Sequence, residues 1–207
     1  MSITLIIIII TALISYQALG NRNMFNQLKH FPYSEARNKE YHRFLSSGFV
    51  HGSIMHLAIN MYVLYIFGTY VENTFLALFG ETMGRVNFVI LYLLTIIFAD
   101  IPTFIKHKNN PNFASVGASG AVSGILFIFI LLNPWATLLL MLVIPCPAII
   151  AGIGYLIYSS WASKNTNDMI DHDAHFFGAV FGLLFVLVLK PGLLALFMDR
   201  LVNGFPF

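Results

Sequence analysis

Gly117-Ala118-Ser119-Gly120-Ala121-Val122-Ser123-Gly124, running unbroken into Ile125-Leu126-Phe127-Ile128-Phe129-Ile130-Leu131-Leu132, decides how this chain is read. The second half carries no charge and no period-2 alternation, which marks a helix in an apolar medium. The first half is built from the smallest side chains, which let a neighbouring backbone come close. Ser119 stands among them. Taken alone, its plainer reading is packing, because Gly120 and Gly124 have the i, i+4 spacing of small-xxx-small helix interfaces.

The rest of the chain identifies the solvent. Of 207 residues, 58% are hydrophobic and only 10% charged, where a soluble domain carries about 25% charged residues. A membrane-crossing helix needs roughly 20 mostly apolar residues. Six stretches qualify or nearly so: Ile3–Leu19, Ile54–Phe75, Val86–Phe104, Ala118–Leu132, Pro147–Trp161 and Asp171–Leu189, the fourth and fifth being short. Spanning backbone must satisfy its own hydrogen bonds, so these are helices or a closed barrel, and continuous apolar runs select helices. The expected architecture is one all-α polytopic membrane domain over residues 1–207.

Several function classes drop out. A net charge of +2 without a basic cluster gives no footprint for nucleic acid. The single cysteine, Cys146, cannot close an internal disulfide. Met1–Leu19 has no basic leader and no clear small-residue cleavage site, so it reads as a retained helix. No internal repeat supports an inverted-repeat transporter.

The connections differ sharply. Gly20–Val50 mixes Arg22, Lys29, Arg37, Lys39 and Arg43 with Phe25, Phe31, Tyr33, Tyr41 and Phe44, a composition suited to a segment folded at the membrane interface. Phe104–Val116 is a polar loop leading to Ser119, and Ala162–Ile170 a short polar loop leading to His175. Asn133-Pro134-Trp135 is a tight turn on the other side. Counting segments, Ser119 and His175 begin helices that enter from one face.

That shared face changes the reading of Ser119. Ionisable residues within membrane segments are rare and usually functional, and His175 is followed by Gly178 and Gly182 on its own face. A neutral imidazole is the usual base for a serine hydroxyl, and small residues at a crossing would bring the two within reach. His56 and Asn60, at i and i+4, form either a polar pair gluing helices together or two donors to a developing oxyanion, with the Ser119 backbone N–H as a third. Glu72 reads as a cap or a tie to a loop rather than a chemical group, and His51 and Ser53 as loop anchors or water-accessible groups at the start of that helix.

Together these residues resemble the rhomboid intramembrane serine proteases. The matching pieces are Gly117-Ala118-Ser119-Gly120-Ala121; His51, His56 and Asn60; Ala174-His175 with Gly178 and Gly182; and Glu72 and Arg43-Phe44. They extend from about Arg43 to Leu189. The resemblance implies a six-helix bundle that cleaves the transmembrane segments of other membrane proteins near their ends, at small residues and without metal or cofactor. It implies Ser119 as nucleophile, His175 as general base and then acid, an oxyanion hole of His56, Asn60 and the Ser119 N–H, and an acyl-enzyme intermediate. Water would reach the site through a cavity lined in part by His51, Ser53 and His172. Access would involve motion of the fifth helix and the Ala162–Ile170 cap.

The chain departs from the family pattern twice. Ser123 stands where an aromatic often packs on the histidine ring, and His42 stands where an aromatic often precedes the loop arginine. Asp171, four residues before His175, fits a triad acid but more simply starts a helix. One alternative is a metal-dependent hydrolase on His51, His56, His172 and His175 with Asp171, although His51 and His56 differ by five and no His-Glu-x-x-His motif exists. A non-enzymatic transporter or scaffold is the other. Orientation signals conflict: eight Lys/Arg (Arg22, Lys29, Arg37, Lys39, Arg43, Lys106, Lys108, Lys164) lie on the active-site side against Arg85, Lys190 and Arg200 opposite, which places the site inside. The family topology, followed here, places both termini in the cytoplasm and the chain in the cell (inner) membrane.

Overall fold

In the computed structural model, residues 2–140, 143–166 and 170–205 are described. Helix α1 (Ile3–Gly20) starts where the Ser2 hydroxyl accepts from the Leu5 N–H. Three short helices follow, α2 (Arg22–Leu28), α3 (Pro32–Asn38) and α4 (Arg43–Ser46). Helix α5 (Ile54–Val63), capped by Ser53 accepting from the His56 N–H, continues through a π-helical turn at Leu64–Gly68 into α6 (Thr69–Phe79). After Gly80, α7 (Glu81–His107) is the longest element, and α8 (Ser119–Leu132) follows a polar loop. A two-stranded antiparallel hairpin, β1 (Thr137–Leu140) with β2 (Ile144–Pro147), precedes α9 (Ala148–Asn165), α10 (His172–Leu189) and α11 (Gly192–Asn203).

Among the described residues, four helical segments are long and apolar enough to cross a membrane: Ile3–Gly20, Ile54–Phe79, Glu81–His107 and His172–Leu189. Their outward side chains are apolar and exposed, Ile9, Leu13, Ile59, Ile90 and Val188 among them. Such a surface is stable against lipid and not against water. The chain is thus an integral membrane protein.

Helix α8 stands apart. At 14 residues it rises only about 21 Å, less than the ~30 Å hydrocarbon core. It is buried nearly all round, as an all-apolar helix in the middle of a bundle should be. Its closest neighbour is α10, and glycines explain the approach. A Cβ on Gly182 would lie 2.6 Å from Gly124 Cα, one on Gly178 would strike the Gly120 carbonyl, and one on Gly120 would meet Ala99 Cβ at 2.9 Å. The two backbones touch along Gly120/Gly124 and Gly178/Gly182.

Long-range polar bonds fix the remaining elements. The Glu72 carboxylate on α6 accepts from Ser2 Oγ (2.6 Å), Ile3 N (2.7 Å), Thr4 N (2.9 Å) and Thr4 Oγ1 (2.7 Å), placing an anion at the N-terminus of α1. Of the two roles expected of Glu72, a cap or a loop tie, the structure shows the cap, made on α1 from another helix. Buried Arg43 donates to Glu40 Oε2 at 2.6 Å and to the carbonyls of Asn26 and Lys29, which closes the first connection on itself. Exposed His42 has its Nε2 3.3 Å from the Gln27 carbonyl.

Several boundaries differ from the sequence reading. The first connection is a set of short helices, docked on the Ser119 loop by paired backbone bonds between His30 and Ser115. Helix α9 runs to Asn165, so much of the expected 162–170 loop is helical; residues 167–169 lie outside the described residues. The hairpin and α11 were not expected. Leu138, Leu139, Leu140 and Val143 lie in an apolar run between the fourth and fifth expected stretches, and α11 shows its pattern only as an amphipathic face with Leu194, Met198 and Val202 exposed.

Gly178→Ala is expected to destabilise the bundle by about 1–3 kcal/mol through overpacking, read as a lower thermal midpoint in detergent. Gly154→Ala, where a Cβ would meet nothing within 4 Å, should leave the midpoint unchanged or higher. Equal midpoints for wild type and Gly178→Ala would contradict the backbone contact.

Candidate active site

The α8–α10 contact brings Ser119, the first residue of α8, beside His175, in the first turn of α10. Ser119 Oγ lies 2.7 Å from His175 Nε2. In the neutral tautomer with its proton on Nδ1, the imidazole accepts the serine hydroxyl at Nε2, the geometry a general base requires. As the first helical residue, Ser119 also has a backbone N–H with no intrahelical carbonyl to bond.

The loop that delivers Ser119 is shaped by two histidines. Gly117 sits at φ +125, and a Cβ there would fall 2.7 Å from His56 Cε1, so only glycine fits on both counts. His51 is fully buried beside it, with its ring edge-on to His56 at 4.9 Å between centroids. The Ser15 hydroxyl on α1 donates to the Phe49 carbonyl at 2.8 Å, so His51 Nδ1–H must donate to Ser15 Oγ at 2.9 Å. His51 Nε2 then accepts from the Ala118 N–H at 3.3 Å. Burial, reinforced by nearby His56, pushes the His51 pKa down to about 3, which preserves this neutral acceptor. His51 is a loop anchor rather than a lining residue.

His56 and Asn60 face a cavity of about 730 Å³ shared with Ser119, Ser123, Tyr155, Asp171 and His175 and walled by Ile59, Val63, Val122 and Leu126. One Asn60 amide hydrogen goes to the His56 carbonyl at 2.9 Å, leaving the second for a ligand. Ser53 also lines this cavity, whereas His172 lines a neighbouring cavity of about 330 Å³ with Lys106, His107 and Asp173.

Asp171 is the N-cap of α10. Its carboxylate accepts from the Ala174 N–H (2.9 Å), Thr103 Oγ1 (2.8 Å) and Ser115 Oγ (2.9 Å), joining α7, the Ser119 loop and α10. Behind it lies a buried polar group unforeseen in the sequence: His30 Nδ1 bonds Glu35 at 2.8 Å and lies 3.9 Å from Asp100, which accepts from Ser47 Oγ at 3.0 Å. Burial alone would lower the His30 pKa, but Asp100 and Glu35 outweigh it and raise the value. An aspartate inside the third apolar stretch was the available signal.

Tyr155 on α9 is the other residue that sequence reasoning missed. Its ring is stacked on His175, with centroids 6.0 Å apart and planes 21° from parallel. The Ser123 hydroxyl donates to the Ser119 carbonyl at 2.7 Å, so the Tyr155 hydroxyl donates to Ser123 Oγ at 2.6 Å. A phenol in an apolar segment must find a partner, but its sequence position does not say which.

Among the described residues, no three His, Cys, Asp or Glu side chains converge as a metal ion would require. The histidine set of the metal-hydrolase alternative is dispersed, with both His51 ring nitrogens already engaged by Ser15 and Ala118.

His51 gives a pH test. The unfolded chain takes up a proton below pH 6.5 that the folded chain refuses until about 3, so stability falls as pH drops through that window. The expected outcome is a thermal midpoint that declines with acidification more steeply in wild type than in His51→Gln. Equal slopes would mean that His51 protonates in place.

Comparison with known proteins places this geometry in a lineage. A family model described as the Rhomboid domain matches residues 38–192. Rhomboid-like protein 11, chloroplastic, of Arabidopsis thaliana is 29% identical over 162 residues, 72% of this chain and 53% of the relative. RHOMBOID-like protein 12, mitochondrial, of the same plant is 33% identical over 147 residues, 67% of this chain and 43% of the relative. Rhomboid protease GlpG of Haemophilus influenzae is 31% identical over 131 residues, 62% of each chain. This chain spans about half the length of the two plant relatives. The family match encloses His51, His56, Asn60, Ser119, Asp171 and His175, and the chain belongs to the rhomboid family.

Proposed function

We propose that this protein is an intramembrane serine endopeptidase that cleaves transmembrane segments of other membrane proteins. The observation that carries the reading is the 2.7 Å approach of Ser119 Oγ to His175 Nε2 on the wall of a cavity with apolar sides. One domain over residues 1–207 folds as a six-helix bundle, with α8 and α9 joining the four spans named above. Because α8 is shorter than the bilayer is thick, Ser119 lies below the membrane surface, and the cavity admits water and an unwound peptide segment. Both termini lie on the cytoplasmic side.

The chemistry follows from positions. Ser119 Oγ attacks the scissile carbonyl carbon as its proton passes to His175 Nε2. The carbonyl oxygen becomes an oxyanion, which accepts from the Ser119 N–H, the free Asn60 amide hydrogen and the His56 ring. The tetrahedral intermediate collapses as His175 returns the proton to the departing amine, leaving an ester on Ser119. Water then attacks that ester, giving its proton to His175. Collapse releases the new carboxyl terminus and restores the Ser119 hydroxyl. Gly117 and His51 hold the loop that presents the N–H. Gly120, Gly178 and Gly182 hold the two reacting side chains at bonding distance.

A fluorophosphonate probe should label the wild type at Ser119, with labelling abolished in Ser119→Ala and unaffected by chelator. Cleavage of a transmembrane substrate should fall by at least about a thousandfold in Ser119→Ala and His175→Ala, and by about a hundredfold in Asn60→Ala. Chelator-sensitive cleavage that survives Ser119→Ala would overturn the reading. Asp171→Ala should lower the thermal midpoint through loss of the cap, a cost of about 1–2 kcal/mol, with kcat reduced less than about tenfold. Near-total loss of kcat in a folded Asp171→Ala protein would instead make Asp171 a triad acid.

A further inference from the structure

Helix α9 turns a narrow face to the bundle. Ala148, Gly152, Ser159 and Ala162 on that face are buried and small, while Ile150, Ile153, Ile157 and Trp161 point away and are exposed. Tyr155, spaced with the inner set, is a large side chain on that face and reaches the cavity, while Ile149 and Leu156 pack beside it on the core. It meets both members of the dyad: the ring lies on His175, and the hydroxyl reaches the Ser119 carbonyl through Ser123. His172 also meets this imidazole, edge-on at 5.9 Å, and is itself flanked by Tyr158 of α9 at 5.5 Å. The end of α9 is tied down separately, where Lys106 Nζ donates to Ser163 and to Asp173 Oδ2 at 2.7 Å.

We propose that Tyr155 is the positioning residue of the His175 imidazole, supplying from α9 the aromatic face that Ser123 cannot supply from α8. A stacked ring blocks rotation of the imidazole about its χ2, a torsion that is otherwise broad. The bond through Ser123 fixes the height of that ring relative to Ser119. Removal of the ring lets Nε2 swing out of line with Oγ, which slows proton transfer without altering how substrate is held. The geometry of the dyad therefore depends on α9 being seated, although neither reacting group is on that helix. This inference rests on the Ser119–His175 protease reading.

The test compares Tyr155→Phe with Tyr155→Leu and Tyr155→Ala in the full chain in detergent or liposomes. The readouts are the rate of fluorophosphonate labelling at Ser119, kcat and KM for a transmembrane substrate, and the thermal midpoint. Tyr155→Phe keeps the ring and should retain labelling and kcat within about threefold, whereas Tyr155→Leu, which keeps bulk without a ring face, should lose about tenfold or more in both at unchanged KM. Tyr155→Ala should match Tyr155→Leu if it folds, and the leucine variant decides if it does not. Labelling of the leucine variant at the wild-type rate, or a loss that appears in KM or the midpoint while kcat holds, would overturn the assignment. A wild type that is not labelled at Ser119 would instead overturn the protease reading itself.

Discussion

The bundle turns on the contact between α8 and α10, where Gly120 and Gly124 meet Gly178 and Gly182 backbone to backbone. In lipid there is no hydrophobic drive to press helices together, so association rests on close van der Waals packing and polar bonds. Here the packing is closer than any side chain would allow, and it fixes the depth and separation of the first residues of both helices. Ser119 and His175 are placed by this contact. A wider crossing with larger residues would keep both side chains and lose the hydrogen bond between them.

Polar groups throughout the molecule bond across long sequence separations, as the cost of burying an unpaired polar group demands. Glu72 gathers the N-terminus of α1, and Asp171 joins three elements. His51 stands between Ser15 and the Ala118 N–H. Asp171 and His51 end on the loop that presents Ser119, whereas Glu72 closes the opposite end of α1. Asp171 and His51 thus fix the Gly117–Ser119 turn with the same bonds that join the helices around it.

Helix α9 is a lightly embedded wall of the cavity. Its inner face is mostly small, its outer face apolar, and its polar ties are concentrated at Tyr155 and at Ser163. The stacked Tyr155 ring joins this wall to His175.

Much of this was legible in the residues. Six apolar stretches, the small residues around Ser119 and His175, and the order of His56, Asn60, Ser119 and His175 follow from composition and from the 3.6-residue period, which are local properties. Asp171 could be read as a helix start because a cap acts within its own first turn. Tyr155 could not be found in the same way, nor could the His51–Ser15 bond or the His30–Glu35–Asp100 group. The β1–β2 hairpin was hidden in an apolar run because periodicity does not separate short strands from buried helix. By itself the sequence determined the medium, the helices and the chemical groups available. Only the tertiary structure decided that Ser119 meets His175 across 56 residues, that Tyr155 meets Ser123 across 32, and that Ser15 meets His51 across 36. Those distances depend on how backbones dock, and docking is set by the summed shape of two helix faces rather than by any residue's own preference.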